Sequence, residues 1–570
     1  MKTIGFKNFR RFENLEPLQL GGVNFFVGGN NSGKSTVVKA MMLLLDNLIF
    51  MRPKQQGMMF DNVPSFYLGV NHIHNLHIGT FARALHKPFP ELKEMSFEAE
   101  LAGYKFVLTV TGDVDSTSAG ADVRRIEVVN LMNDVRYIFD FDDNSFVAQF
   151  NTEVLNGYLV AKEQDFWQNI RFGSSQHHIL SRHSERRVAM IERRLEQLMQ
   201  SLSLETNPVE IARINSSIKS ETRRLKDLKN AEKPFITKKE DREYKSTIVV
   251  ENSVRSVTYL GALLDGQWMY YMNIKEGIEQ NSLFGKNEEE QNDRFAQQYR
   301  VEQFYNDLSL EEKAMLCMFA DDARQLRGIG RSKIEYMAAH TASQKMLFSI
   351  EDRNDYMSQV IREFVAERIV EGTELSNFLY DWMYKHFEIA MGYDIKPIHG
   401  EAYTMEITCM NGEKMPLADL GMGAVQIIMM LLRLATVISR AGNLAIRRTT
   451  FIVEEPEQNL HPKLQSKLAD LFAFVNEKYG CQFVIETHSE YLIRRTQAMI
   501  ATGEVSFEQN PFKVYYFPQD GQPYDMEYQK SGRFVQSFGH GFFDESAKHT
   551  MEISKKELQE EASITFNWDN

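Results

Sequence analysis

Residues 28–35 read GGNNSGKS, which leaves four residues between Gly28 and Gly33 and sets Lys34 and Ser35 directly behind them. That spacing, GxxxxGK[ST], serves one kind of chemistry. Glycines let the backbone turn so tightly that its N–H groups face phosphate oxygens. Lys34 brings a positive charge to the β- and γ-phosphates, the Ser35 hydroxyl is offered to Mg²⁺, and a following helix adds its positive end. Gly28, Asn30, Asn31, Ser32, Gly33, Lys34, Ser35 and Thr36 are therefore read as a nucleoside-triphosphate site, with Ser35 on magnesium.

Two further stretches end apolar runs on polar groups. In "TTFIVEEPEQNLHP" a buried strand delivers Glu454 to the magnesium shell, and Glu455 is set to orient and deprotonate an attacking water. Neighbouring strand residues face opposite ways, so both carboxylates can act only where the chain leaves the pleat, and Pro456 helps force that exit. In "CQFVIETHSEYLI" a strand ends at Thr487-His488-Ser489, where His488 can hydrogen-bond the γ-phosphate. A second glycine-rich helix start, "LADLGMGAVQ" at 417–426, precedes a long apolar run.

The elements that must hold these groups are legible around them. Ile4, Phe6 and Phe9 alternate as a strand. The run "VNFFVG" enters the glycine loop, and "VVKAMMLLLDNLIF" leaves it with helical periodicity, the strand–loop–helix context a phosphate loop requires. Residues 95–111 and 123–150 read as strands in hairpins, and strands return from about residue 395. The stretch between is helical in pattern and rich in methionine.

Val188, Ile191, Leu195, Leu198 and Leu202 recur at 3,4 spacing, and the pattern resumes after Asn207-Pro208 at Ile211, Ile214 and Ile218. That predicts a short antiparallel coiled-coil hairpin. Residues 182–231 hold eleven Lys/Arg against seven Asp/Glu in a chain of net charge −13, which makes the arm a candidate contact for DNA, RNA or a protein partner. The expected organisation is a first ATPase lobe at 1–175, the hairpin at 176–235, a mostly helical region at 236–394 and a second lobe at 395–570. The fold class is α/β.

In order along the chain, "NFRRF", the phosphate loop, "DLGMGAVQ", "EEPEQNLHP" and "ETHS" resemble the ATP-binding-cassette ATPases of the SMC/Rad50/RecF type. More narrowly they are similar to the AAA-15/AAA-21 branch that includes the OLD-type ATPase domains. The resemblance implies ATP and Mg²⁺ as cofactors and a head built from both chain ends. It also implies a dimer in which each subunit presents a signature, here Asp419, Gly421, Gly423 and Gln426, to ATP on the other's phosphate loop. Arg10 or Arg11 then touches the nucleotide from the first strand, and Gln55 and Gln56 are candidates for the glutamine that follows the phosphate loop in the family.

Composition narrows the function classes. Cys317, Cys409 and Cys481 lie far apart, which excludes a disulfide framework and a zinc ribbon and suits a reducing cytoplasm. The longest apolar run, Ala424–Ile438, is about 15 residues and is interrupted by Gln426 and Arg433, too short to span a bilayer. No signal-peptide pattern opens the sequence. OLD nucleases carry a Toprim domain, but no DxD follows His488, "FDFDDN" at 139–144 reads as a solvated turn, and His72, His74 and His77 read as structural. The expectation is an ATPase without a nuclease site of its own, one that scaffolds or restrains a separate effector nuclease. Relatives of that kind resemble the anti-phage ATPases of the PtuA and AriA type. The alternative is a RecF- or Rad50-like DNA-repair or DNA-clamping ATPase.

Overall fold

A computed structural model describes residues 1–50, 64–68, 78–143, 145–149, 192–203, 247–250, 310–326, 333–339, 342–352, 355–445, 449–539 and 542–566, with isolated positions between 211 and 263. Residues 192–203 are helical, as the heptad spacing predicts, but the hairpin tip and the pairing of its two arms lie outside the described residues. So do Gln55, Gln56, His72, His74 and His77.

The chain opens with β1 (Thr3–Phe9), β2 (Phe12–Gln19) and β3 (Val23–Gly28), followed by α1 (Lys34–Phe50). A nine-stranded antiparallel sheet is built from β1, β2, β4 (Ser65–Tyr67), β5 (Glu94–Leu101), β6 (Tyr104–Thr111), β7 (Gly120–Asn130), β8 (Val135–Asp140), β9 (Ser145–Gln149) and β10 (Thr247–Val250). Burial in β5 and β6 alternates residue by residue, the signature of a sheet with one face on the core. The sequence reading did not foresee β2. Its Glu13, Glu16 and Pro17 break the apolar alternation, and it lies at the sheet edge, where proline costs no ladder hydrogen bond.

The central sheet has the order β11 (Lys333–Met337), β16 (Thr449–Glu454), β17 (Gln482–Thr487), β3, β18 (Phe512–Phe517) and β19 (Tyr524–Asp525), parallel except for β19. β3 therefore sits between two strands nearly five hundred residues away in sequence. Its residues are all buried, as a parallel strand covered on both faces requires. Val23, Phe25 and Val27 join one apolar core, whereas Phe26 joins the other with Ile452 and Val484. That second core also contains α1, the antiparallel sheet and α3 (Leu310–Leu326), with α2 (Phe81–Ala84) at its margin.

A carboxyl group lies inside that core. Asp322 on α3 accepts hydrogen bonds from Tyr104, Tyr137 and Asn130, pinning the helix to three strand ends. Burial pushes its carboxyl up to about 6 from the usual 3.8. The folded chain thus holds a proton that the unfolded chain releases at lower pH, so stability falls as pH rises through that window. Asp322→Asn should remove this slope, gaining on the parent chain by roughly 3 kcal/mol between pH 4 and 6 in paired melting curves.

The helical region supplies α4 (Tyr356–Glu367) and α5 (Glu374–Tyr380), the latter running into a π-turn at Asp381–His386. A small sheet of β12 (Phe348–Ser349), β13 (Gly392–Ile398), β14 (Ala402–Thr408) and β15 (Lys414–Pro416) leads to α6 (Met422–Ala445). At 24 residues α6 is longer than the apolar run read from the sequence, and Met422–Ala441 is long and apolar enough to cross a membrane. Here it is a core helix, with Val425, Ile427, Ile428, Leu431, Leu432 and Leu434 buried among α4, β16 and β17 side chains. Its Arg433 pairs with Glu335 of β11 and Glu363 of α4, and Arg440 pairs with Glu363 and Glu367. The remaining helices are α7 (Pro462–Tyr479), α8 (Glu490–Thr502) and α9 (Glu545–Phe566).

The "FDFDDN" stretch forms the β8–β9 turn, where the Asp142 and Asp143 N–H groups donate to the Asp140 carboxylate. From the "GHGFFDES" stretch, Phe542 packs edge-on against Tyr516 of the central sheet, and Phe543 packs against Phe538 and Phe542.

Candidate functional site

Three central strands end side by side, and their carboxyl ends carry the groups singled out in the sequence. β3 ends at Gly28, β16 at Glu454 and β17 at Thr487, the edge of a parallel sheet where ligands are bound. In the loop after β3, Gly28 and Gly33 take φ of +154° and +108°, and Asn31 takes +61°. A Cβ at Gly28 would also meet the Phe517 carbonyl oxygen at 2.4 Å, and one at Gly33 the Phe12 ring at 2.6 Å. Both glycines are thus fixed twice, by conformation and by contact. Lys34 Nζ donates to the Gly28 and Gly29 carbonyls at 3.0 Å each and lies 3.3 Å from His488 Nε2. Burial lowers its pKa, while Glu486, Glu455 and Glu457 act in the opposite sense.

The acidic side of the site is richer than the sequence reading allowed. The Ser35 hydroxyl donates to Glu486 Oε2 at 2.8 Å, not to Glu454. Glu454 instead lies near Tyr336 on β11, and burial and then this carboxylate raise the Tyr336 pKa. Burial, with Glu454 next in weight, pushes the Glu486 carboxyl up to about 7. The expected exit from the pleat occurs at Glu455, whose φ is +44° and whose N–H is held by the Glu486 carbonyl at 2.8 Å. A non-glycine residue in this left-handed region is strained, and the strain turns its carboxylate out of the strand, where Gln458 donates to it. Two residues on, half-buried Glu457 accepts the His488 N–H at 2.7 Å. His488 is half-buried, and burial and then Lys34 lower its pKa, favouring the neutral imidazole. Ser489 follows as the N-cap of α8, accepting from the Leu492 N–H. The strand end and helix start therefore fix the backbone on both sides of His488.

The loop, the carboxylates and His488 converge in one phosphate-loop site, and residues 1–493 match the AAA_15 family, an AAA ATPase domain. The chain belongs to the AAA_15 family. A search of curated proteins finds no match. Among solved structures, an Smc head domain bound to the C-terminal domain of ScpA, from Pyrococcus furiosus, is similar at 11% identity and TM-score 0.27, covering 97% of this chain and 99% of that one. The SMC head domain of Thermotoga maritima is similar at 9% identity and TM-score 0.29, covering 92% and 98%.

Beside the phosphate loop of this AAA ATPase domain lies a cleft of about 540 Å³, lined by Asn31, Ser32, Gly33, Lys34, Ser35 and Thr36 and by Arg10, Arg11, Arg83, Leu85, His86 and Lys87. Five of these are lysines or arginines and none is acidic, an anion-attracting wall in an acidic protein. Arg10 and Arg11 reach it as the sequence suggested, but from the tight turn between β1 and β2, since Phe9 already pairs with Phe12. Arg11 Nη1 donates to the Asn31 carbonyl at 2.5 Å, and Arg10 has φ +52° and binds the Ala84 carbonyl through its N–H. Arg83, His86 and Lys87 were not read from the sequence. They belong to no motif and are brought in by the pairing of 84–86 with Asn8 and Arg10.

The four signature residues do not line this cleft. Asp419 and Gly421 are exposed, and a Cβ on Gly421 would meet nothing within 4 Å. Gly423 differs in kind. A Cβ there would lie 2.5 Å from the Asn459 carbonyl oxygen and 2.9 Å from Leu460, so this glycine lets α6 seat against the loop after Glu455 within the same chain. The Gln426 amide donates to the Pro456 carbonyl of that loop at 3.2 Å. Both therefore make contacts in their own chain that the resemblance did not imply. Gly423→Ala should cost about 1–3 kcal/mol in denaturant melts, because a backbone carbonyl cannot give way, while Gly421→Ala should be near neutral.

Proposed function

We propose that this AAA ATPase domain binds ATP with Mg²⁺, closes head to tail with a second copy around the nucleotide, and hydrolyses it to release the pair. The observation that carries this reading is the convergence of Lys34, Ser35, Glu455 and His488 at three adjacent strand ends. The phosphate loop and the arginines of the cleft bind and orient the polyphosphate. The Ser35 hydroxyl and the carboxylates beside it suit a hard divalent cation, which when bound neutralises phosphate charge. Glu455 is placed to accept the proton of an attacking water, and His488 to contact the γ-phosphate side of Lys34.

The partner's contribution is assigned to the exposed start of α6 at Asp419–Gly421. A helix start carries about half a positive charge and unpaired N–H groups, which suit an anion supplied from outside the chain. We further propose that the ATP-driven pairing governs a separate effector, a nuclease in anti-phage defence, and that the basic arm around 182–231 is where nucleic acid or the effector is met.

Mixing variants tests the head-to-tail site. Lys34→Ala and Gly421→Trp chains should each be inactive alone, and Gly421→Trp should still fold, given the open space there. In a mixed dimer one composite site carries both lesions and the other none, so an equimolar mixture should recover about a quarter of parent turnover. No recovery, or an active Gly421→Trp chain, would remove the shared-site reading.

A further inference from the structure

We propose that Glu486 is a direct ligand of the divalent cation at the phosphate loop, so that Glu486, Glu454 and Ser35 form a seat that takes up Mg²⁺ or Mn²⁺ before nucleotide arrives. The proposal rests on the nucleotide-site reading for its place but not for its chemistry. Glu486 is 4% exposed, and its strand neighbours Val484, Ile485 and Thr487 are fully buried. A carboxylate in such surroundings is costly unless its oxygens are satisfied. Only one is: Oε2 accepts the Ser35 hydroxyl, while Oε1 has no hydrogen-bond partner. The nearby Lys34 ammonium does not supply one, because it is directed to Gly28, Gly29 and His488.

Sheet register shows where Oε1 can look. Glu454 and Glu486 are paired positions on adjacent parallel strands. Two residues back, Ile452 and Val484 both enter the core that contains α1, and alternation puts the two glutamates on that same face. Ser35 opens α1 on that side. Two carboxylates and a hydroxyl thus converge, an all-oxygen donor set that suits a hard cation. Among the described residues no group of three or more His, Cys, Asp or Glu forms a closed metal cage. Three protein oxygens instead leave coordination positions for water and, later, phosphate. Ser35 donating to Oε2 fixes the carboxylate with Oε1 turned to the cation.

Binding of Mn²⁺ to the nucleotide-free full chain, followed by the electron paramagnetic resonance of free Mn²⁺ and by melting with Mn²⁺ or with EDTA, tests this. The parent should bind one Mn²⁺ and melt higher in its presence. Glu486→Gln should weaken Mn²⁺ at least about tenfold and lose the Mn²⁺-induced shift. In EDTA it should melt no lower than the parent, because a buried like-charge pair has been relieved. A parent that binds no Mn²⁺ without nucleotide overturns the proposal. So does a Glu486→Gln chain with parental Mn²⁺ affinity, or one whose only change is a lower melt in EDTA, the mark of a purely structural glutamate. A fluorescent ADP titration in EDTA keeps the two readings apart. If the parent binds no nucleotide yet Glu486→Gln loses Mn²⁺, the nucleotide reading falls and the cation seat stands.

Discussion

Glu455→Gln is expected to bind ATP as tightly as the parent chain and to hydrolyse it at least ~10²-fold more slowly. The exchange keeps the size of the side chain, and the contact with Gln458 survives an amide rotation. The strained backbone turn at φ +44° and the N–H bond to the Glu486 carbonyl do not involve the side chain, so the strand end stays where it is. What goes is the capacity to take a proton from water. Phosphate release under single-turnover conditions, alongside titration with a fluorescent ATP analogue, measures both quantities. Dimers should then accumulate with ATP, visible by light scattering, because closure is retained and release is blocked. Parental turnover in this variant would move the base elsewhere, with half-buried Glu457 the next carboxylate in reach of His488.

Lys34→Ala should abolish measurable ATP binding, a loss of about 10²-fold or more, since charge-assisted bonds to two phosphates disappear together. The cleft's other cations, Arg10, Arg11, Arg83 and Lys87, would still attract anions, so residual salt-sensitive binding without specificity for the triphosphate is the expected remnant. Isothermal titration with ATP, ADP and AMP distinguishes the two. A variant that keeps the parental preference for ATP would remove the phosphate-loop assignment.

The phosphate loop was legible because its chemistry is local: glycines, a lysine and a serine at fixed spacing between a strand and a helix. The two carboxyl-terminal motifs were legible as strand ends for the same reason. What the sequence hid is long-range pairing. Nothing in "VNFFVG" says that β17 and β18 will flank it, yet that placement puts Ser35 next to Glu486 rather than Glu454. A signal for Glu486 did exist. A glutamate after "FVI" and before a threonine is an odd resident for a buried strand. Arg83, His86 and Lys87 left no such trace, because their position depends on a turn pairing with residues seventy-odd places earlier. Gly423 shows the converse. The resemblance assigns it to a partner's nucleotide, and the structure adds a contact within its own chain that the sequence did not announce, with Asn459 and Leu460 close against it.

The ion-pair network on α6 has a mechanical corollary. Arg433 is largely enclosed and grips Glu335, and the next residue along β11, Tyr336, lies near the Glu454 carboxylate. The helix that begins at Met422 is thus bolted, through Glu335, to the strand bordering Glu454. A neighbour pressing on its exposed end would push on a stiff lever rather than a loose loop, and the load would arrive at Glu454 as a displacement of the tyrosine hydroxyl.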